Sequence, residues 1–120
     1  MISPTGQGIR SDKEGDGHLG APRGNRIHRG DDYICDEGQD IVAPFDLRIV
    51  RVAYPKTDLV MKGIAWEFGR SNGRMYYFVP FKELIGQNVK EGQVIGHAQS
   101  VSKYYKLPGM VNHIHFQVNY

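Results

Sequence analysis

The sequence has little cysteine, no long hydrophobic run and little net charge, and each of these absences excludes a class of protein. Cys35 is the only cysteine, so no internal disulfide can hold the chain together, and we expect a buried, unreactive thiol on a strand. No segment approaches the roughly 18 apolar residues of a membrane span. The N-terminal stretch MISPTGQGIR also lacks the apolar run of a signal peptide. We therefore expect no membrane partner and synthesis in the cytoplasm.

The charge balance argues against one class of partner, and the lack of helical periodicity argues against a helical fold. Lys and Arg number 15 against 13 Asp and Glu, which gives a formal net charge of +2. A charge this small, with no basic cluster interleaved with aromatic residues, argues against a nucleic-acid partner. Helical periodicity is absent over any window longer than about ten residues. Only FKELIGQ, residues 81–87, is expected to form a helical turn.

Short apolar runs, by contrast, are frequent in most of the chain. Residues 1–25 are rich in Gly, Pro, Ser and charge and are interpreted as an N-terminal arm. Residues 26–120 contain β-branched and aromatic runs such as LRIVRVAY and RMYYFVPF, which Gly, Pro, Asn and Asp separate. This pattern predicts an all-β fold, with one antiparallel sheet curled or folded over a single core. The best hairpin signal is SNG at residues 71–73.

Two pairs of polar residues, near the two ends of the β-rich region, have the chemistry of a metal site. His113 and His115 alternate along a strand, so both imidazoles lie on one face, about 7 Å apart. His28 precedes Asp32 by four residues, and Gly30 between them lets the backbone bend so that both side chains reach one ion. The alternatives are an ordinary histidine pair and a loop ion pair. A closed site in which all four side chains bind zinc is also consistent with the spacing.

These residues, in HRGDD and HIH, resemble the lysostaphin-type zinc endopeptidases, whose pattern is His-x-Gly-x-Asp followed late in the chain by His-x-His. The similarity extends through DEGQDIVAPF and VKEGQVIGHA and covers roughly residues 20–118. The resemblance implies the fold of that family and a zinc ion held by His28, Asp32 and His115, with a water in the fourth position. His113 would then be the general base for that water. The implied reaction is hydrolysis of the peptide cross-links of peptidoglycan by a zinc-activated water.

One departure from that family concerns its second catalytic histidine, which lies in a Tyr-x-His segment that matches MYYFVPF here. If Tyr77 aligns with the family's tyrosine, Val79 takes the place of the histidine. Losing one oxyanion donor typically costs about 10²–10³ in rate, so activity would be weak or degenerate unless Tyr76 or Tyr77 replaces the donor. Packing within the strand is the alternative role of both tyrosines. Without a signal peptide, such a lysin would act after lysis or through a phage or secretion device.

The segments APF, RMYYFVPF and HIH also resemble the leukocyte cell-derived chemotaxin family, which retains the zinc ligands and lacks that histidine. This second resemblance implies a catalytically inactive, zinc-stabilised module that binds a protein partner in its cleft instead of a peptidoglycan peptide. Secreted chemotaxins use several cysteines in disulfides, whereas this chain has one. Val79 favours the inactive module, and His113 favours the zinc endopeptidase, because a purely structural site needs no spare imidazole.

Several other polar and aromatic residues receive ordinary structural interpretations. His97 is expected to be a satisfied core or rim histidine and not a replacement catalyst. Trp66 is expected to fill the core, as aromatic residues at such spacings usually do. His18 belongs to the N-terminal arm. Arg23 and Arg26 either orient Asp32, bind a carboxylate of the substrate, or lie at the surface.

Overall fold

The structure is a computed structural model that describes residues 1–12, 15–17, 22–23, 26–27 and 30–119. Strands dominate this part of the chain, so the all-β prediction is confirmed. Within the described residues the strands are β1 (Ser11–Asp12), β2 (Gly15–Asp16), β3 (Pro22–Arg23), β4 (Arg26–Ile27), β5 (Asp31–Ile34), β6 (Asp40–Val42), β7 (Leu47–Ala53), β8 (Gly63–Phe68), β9 (Ser71–Tyr76), β10 (Phe78–Pro80), β11 (Asn88–Val89), β12 (Val94–Ala98) and β13 (His113–Asn119).

Two antiparallel sheets form the body of the described chain. Strands β11, β7, β8, β9, β13 and β5 lie side by side in that order in a six-stranded sheet, and β10, β12 and β6 form a three-stranded sheet. Side chains from both sheets meet in one apolar core. Its largest fully buried members are Trp66, Phe78, Ile41, Ile49, Ile64, Met75, Ile95 and Ile114. The predicted single core is therefore built by two sheets, and the expected burial of the tryptophan is confirmed.

The hairpin turn predicted at SNG is wrong. Residues 71–73 lie inside β9, which pairs with β8 on one side and β13 on the other. A Cβ on Gly73 would lie 1.9 Å from the carbonyl oxygen of Gln117, so the lack of a side chain here permits close contact within the sheet. The turn between β8 and β9 uses Gly69, whose φ of +58° is readily accessible to glycine.

Residues 8–10, which belong to the predicted N-terminal arm, lie against the edge of the six-stranded sheet. Ile9 forms a β-bridge with Tyr33 of β5, and the amide of Arg10 donates to the carbonyl oxygen of Asp32 over 2.8 Å. These contacts cover an edge strand that would otherwise present unpaired backbone groups. They also bring the Arg10 side chain to the strand that carries a predicted metal ligand.

Two short helical segments connect strands in the described part of the chain: a 3₁₀ helix at Lys82–Leu84 and α1 at Val101–Tyr105. The first confirms the helical turn predicted for FKELIGQ. The second was not predicted, although Ser100 caps it by accepting a hydrogen bond from the amide of Lys103, which is a typical signal of a helix start. Over the residues described, no helix is long and apolar enough to cross a membrane.

Candidate metal centre

The pairing of β13 with its two neighbours sets the geometry of the predicted site. His115 lies directly opposite Asp32 on β5 and directly opposite Tyr76 on β9. Residues paired in this way project from the same face of a sheet, and His113 shares that face because it lies two residues before His115 on the same strand. Asp32 and both histidines of the terminal pair therefore come together, as their spacing predicts.

Asp32 and His115 lie close enough to reach one ion together. The Nδ1 atom of His115 lies 3.0 Å from Oδ1 of Asp32, which is the distance of a hydrogen bond in the metal-free chain. The side chains of Asp32 and His115 are 3% and 11% exposed. The Nε2 atom of His115 lies 3.1 Å from Oε1 of Gln117. When Nε2–H donates to this oxygen, Nδ1 keeps the lone pair that binds a metal.

His113 approaches the same carboxylate. Its Nδ1–H donates to the carbonyl oxygen of Val111 over 2.8 Å, and its Nε2 atom lies 3.5 Å from Oδ2 of Asp32. Burial lowers the pKa of His113, and the carboxylate of Asp32 offsets this shift only in part. With Nδ1–H bonded to Val111, a hydrogen bond from His113 to Asp32 requires a proton on Nε2 as well. The general-base role that the lysostaphin-type resemblance implies stays a prediction.

A buried arginine lies on the other side of the carboxylate. The side chain of Arg10 is 2% exposed, and its Nε atom lies 3.4 Å from Oδ2 of Asp32. We refer to Arg10, Asp32, His113 and His115 as the buried cluster. Arg10 is not predictable from the sequence, because its contact with Asp32 depends on the docking of the N-terminal segment along β5 and no local pattern signals it.

Two further residues support the buried cluster. Gln117 follows His115 by two positions on β13, so strand alternation places both side chains on one face, a signal that the sequence analysis did not use. A Cβ on Gly30 would lie 2.2 Å from the carbonyl oxygen of Phe116 and 3.0 Å from Cε1 of His115. The glycine of HRGDD is therefore needed for the close approach of this segment to β13.

The third predicted ligand, His28, lies outside the described residues, and so does His18. The side chains of Arg23 and Arg26 are also outside the description. Among the described side chains, no three histidines, cysteines or carboxylates form a metal-binding group. The two predicted zinc ligands that are described fit such a site in donor chemistry and lie close enough to reach one ion. A complete set of three ligands depends on His28.

The two tyrosines predicted as substitute donors flank the histidine pair. The ring of Tyr76 stacks on His115 with centroids 6.0 Å apart, and the ring of Tyr77 meets His113 edge-on at 5.4 Å. The hydroxyl of Tyr77 lies 3.2 Å from that of Tyr105, and burial raises the pKa of Tyr77 so that it stays protonated. Tyr77 has a φ of +82°, a strain of about 1–3 kcal/mol that often accompanies functional sites.

Val79, which the lysostaphin-type resemblance aligns with that family's second catalytic histidine, lies in the three-stranded sheet. It is 45% exposed and is paired with His97 across β10 and β12. The Nε2 atom of His97 lies 3.1 Å from Oδ1 of Asp40, and its imidazole meets the ring of Phe81 edge-on. His97 is therefore a satisfied rim histidine, as expected, and its imidazole is engaged by Asp40.

Cys35 has the structural character that the sequence predicts, although it lies one residue past the end of β5. It is 3% exposed. Burial raises its pKa to about 12, and the neighbouring Asp36 adds to the shift. Because the thiolate is the reactive form, such a thiol is inert near neutral pH.

Comparison with known proteins identifies relatives along most of the chain, although no protein-family model matches it. Leukocyte cell-derived chemotaxin-2 of Bos taurus is 29% identical over 108 residues, which span 88% of this chain and 69% of the relative. The protein of the same name from Mus musculus matches with the same identity and coverage. Myeloid protein 1 of Gallus gallus is 26% identical over 120 residues, which span 96% of this chain and 36% of the relative.

The resemblance to the chemotaxin family, predicted from APF, RMYYFVPF and HIH, is confirmed by these relatives. This chain is similar to chemotaxin-2 over more than two thirds of that protein's length, whereas it spans only about a third of myeloid protein 1. The lysostaphin-type family, its zinc ion and its action on peptidoglycan stay predictions.

Proposed function

We propose that this chain is a zinc-binding module that recognises a protein partner and does not hydrolyse peptides. One observation carries the proposal: the described residues bring no further imidazole to the buried cluster, and His97 instead contacts Asp40. The lysostaphin-type resemblance aligns Val79 with that family's second catalytic histidine. A peptidase of the lysostaphin type uses that histidine to stabilise the oxyanion. Without it, the rate is expected to fall by about 10²–10³.

The similarity to chemotaxin-2 over 88% of the chain supports the same choice. The chemotaxin resemblance implies a protein that acts by binding partners and not by hydrolysis. We therefore propose that this chain, like the family it resembles, recognises a protein partner.

His28, Asp32 and His115 are the residues proposed to hold the zinc ion. When bound, zinc supplies a cross-link between the HRGDD segment and β13, and structural zinc sites contribute directly to the free energy of folding. Gly30 supports this role, because it lets the HRGDD segment approach His115 closely. Gln117 supports it as well, because its contact with Nε2 leaves Nδ1 of His115 available as a ligand.

The partner is proposed to bind at the aromatic wall beside the buried cluster, which consists of Tyr76, Tyr77, Tyr104 and Tyr105. All four side chains are partly exposed. The rings of Tyr104 and Tyr105 lie 4.9 Å apart, and Nζ of Lys56 lies 5.4 Å from the Tyr105 ring centroid. Tyrosines are enriched at protein interfaces, because each offers a large apolar face together with a polar tip.

The test compares zinc content with peptidoglycan hydrolysis in the same samples. Wild-type and His113→Ala proteins are loaded with zinc, freed of unbound metal, analysed by mass spectrometry and incubated with purified peptidoglycan. We expect about one zinc ion per chain and no new amino termini from either protein. Release of amino termini by the wild type, and not by His113→Ala, would overturn the proposal. Absence of zinc from the loaded wild type would overturn its metal component.

Hydrolysis of peptidoglycan cross-links is the second candidate, and one observation favours it. His113 is buried beside Asp32, with its Nδ1–H bonded to Val111 and its Nε2 atom toward the carboxylate. Three protein ligands with a water in the fourth position are typical of a catalytic zinc site, whereas structural sites are closed by four protein ligands. The variant Val79→His distinguishes the candidates further. Hydrolysis by this variant alone would show that the wild type is inactive because it lacks the histidine that stabilises the oxyanion.

A further inference from the structure

Arg10 brings a permanent positive charge to the carboxylate that the proposed zinc site requires. Its Nε atom lies 3.4 Å from Oδ2 of Asp32, whereas Nδ1 of His115 faces the other oxygen, Oδ1. An arginine side chain remains protonated at any pH at which a protein folds. One oxygen of the Asp32 carboxylate therefore faces the Arg10 cation, and the other faces the predicted metal ligand His115.

The backbone holds this arginine in place. The amide of Arg10 donates to the carbonyl oxygen of Asp32 over 2.8 Å, and the amide of Gly17 donates to the carbonyl oxygen of Arg10 over 2.9 Å. A Cβ on Gly17 would lie 2.7 Å from Cβ of Asp32 and 2.8 Å from Cγ of Arg10. The segment is thus packed directly against the side chains of Asp32 and Arg10.

We infer that Arg10 is the resident counter-cation of Asp32, which neutralises this carboxylate in the metal-free chain and restrains its affinity for divalent cations. The inference rests on the proposed zinc site and names a residue that sets the affinity of that site. A buried carboxylate is costly without a charged partner, so Arg10 stabilises the metal-free fold. The same charge repels a divalent cation, and this repulsion is strong where water is excluded.

A residue that only orients a metal ligand has the opposite effect. Loss of such a residue typically weakens metal binding by about 10–100-fold, because the ligand becomes free to turn away from the ion. Loss of a competing cation strengthens binding. The sign of the change in zinc affinity therefore separates the two roles of Arg10.

The experiment measures zinc affinity by competition with a chromophoric chelator, and thermal unfolding in EDTA, for wild type, Arg10→Met, Arg10→Gln and Arg10→Lys. The matched control is Arg48→Met, which removes an arginine from an exposed ion pair with Glu67, where the side chains are 44% and 46% exposed. Arg10→Met and Arg10→Gln are expected to bind zinc about tenfold more tightly or better, and to unfold at a lower temperature in EDTA. Arg10→Lys and Arg48→Met are expected to bind zinc as the wild type does.

Each outcome bears on the inference or on the proposed function separately. If the wild type binds zinc, and neither Arg10→Met nor Arg10→Gln binds it more tightly, the inference fails and the zinc site stands. Binding by these variants but not by the wild type supports the inference and overturns the proposed zinc site of the natural chain. Absence of binding in every protein overturns both. Arg10→Gln carries the same expectation as Arg10→Met, so the test survives if one of them does not fold.

Discussion

Two contacts between a histidine and a carboxylate in this molecule have nearly the same length and very different surroundings. In the buried cluster, His115 and Asp32 approach to 3.0 Å, with side chains 11% and 3% exposed. On the three-stranded sheet, His97 and Asp40 approach to 3.1 Å, with side chains 53% and 64% exposed. An exposed pair contributes about 0–1 kcal/mol, whereas removing one partner from a buried pair costs about 3–5 kcal/mol. Exclusion of water, and not the pair itself, makes the first region a candidate site.

The neighbours of the two pairs differ as well. Around Asp32, a guanidinium and two imidazoles approach the two carboxylate oxygens, and Gln117 orients His115 from behind. The described contacts of His97 are limited to Asp40 and the ring of Phe81. A dense set of polar groups held in one geometry is what a metal site requires, and the exposed pair lacks such support.

The largest expected effect comes from neutralising the two carboxylates in turn. Asp32→Asn removes the charge that faces Arg10 and the two histidines, so it should lower the free energy of unfolding by about 3–5 kcal/mol. The matched change Asp40→Asn, in the exposed pair, should lower it by no more than about 1 kcal/mol. Urea denaturation in EDTA measures both values without any contribution from metal. Equal decreases in the free energy of unfolding of the two variants would show that burial does not distinguish the two regions.

An intermediate effect is expected from adding one methyl group next to the buried cluster. Gly30→Ala places a Cβ 2.2 Å from the carbonyl oxygen of Phe116, so the backbone must shift, at a cost of about 1–3 kcal/mol. Gly8→Ala is the control, because a Cβ there meets no atom within 4 Å, and its effect should stay within about 0.5 kcal/mol. Urea denaturation again provides the measurement. If Gly30→Ala leaves the free energy of unfolding unchanged, β13 and the HRGDD segment do not pack this closely.

The smallest effect is expected from placing a third imidazole on the exposed side. Val79→His changes a side chain that is 45% exposed, so the free energy of unfolding should change by no more than about 0.5 kcal/mol. Zinc affinity should equal that of the wild type, because the proposed ligands His28, Asp32 and His115 are unchanged. Calorimetric zinc titration of the two proteins checks this. Tighter binding by Val79→His would show that the exposed region and the cluster share one metal site.

Local sequence patterns were sufficient to predict the class of fold and part of the candidate site. Runs such as RMYYFVPF predict strands because alternation and β-branching are properties of the strand itself. In the same way, the two-residue spacing of His113 and His115 places both on one face wherever the strand lies. The short helix α1 was missed, although the capping residue Ser100 is visible in the sequence.

Features that depend on which strands are neighbours could not be predicted from those patterns. The Asn-Gly of SNG signals a turn locally, but Gly73 is needed where β9 meets the backbone of β13. The contact between Arg10 and Asp32 likewise requires the N-terminal segment to dock along β5. The role of Gly73 and the contact between Arg10 and Asp32 both depend on long-range strand pairing, which no local sequence pattern indicates.

The central claim is that zinc binds at the buried cluster and nowhere near the exposed histidine. Its most direct test is the metal content of wild type, His115→Ala and His97→Ala after saturation with zinc and gel filtration. We predict about one zinc ion per chain in the wild type and in His97→Ala, and none in His115→Ala. Zinc retained by His115→Ala, or missing from the wild type, would contradict the account.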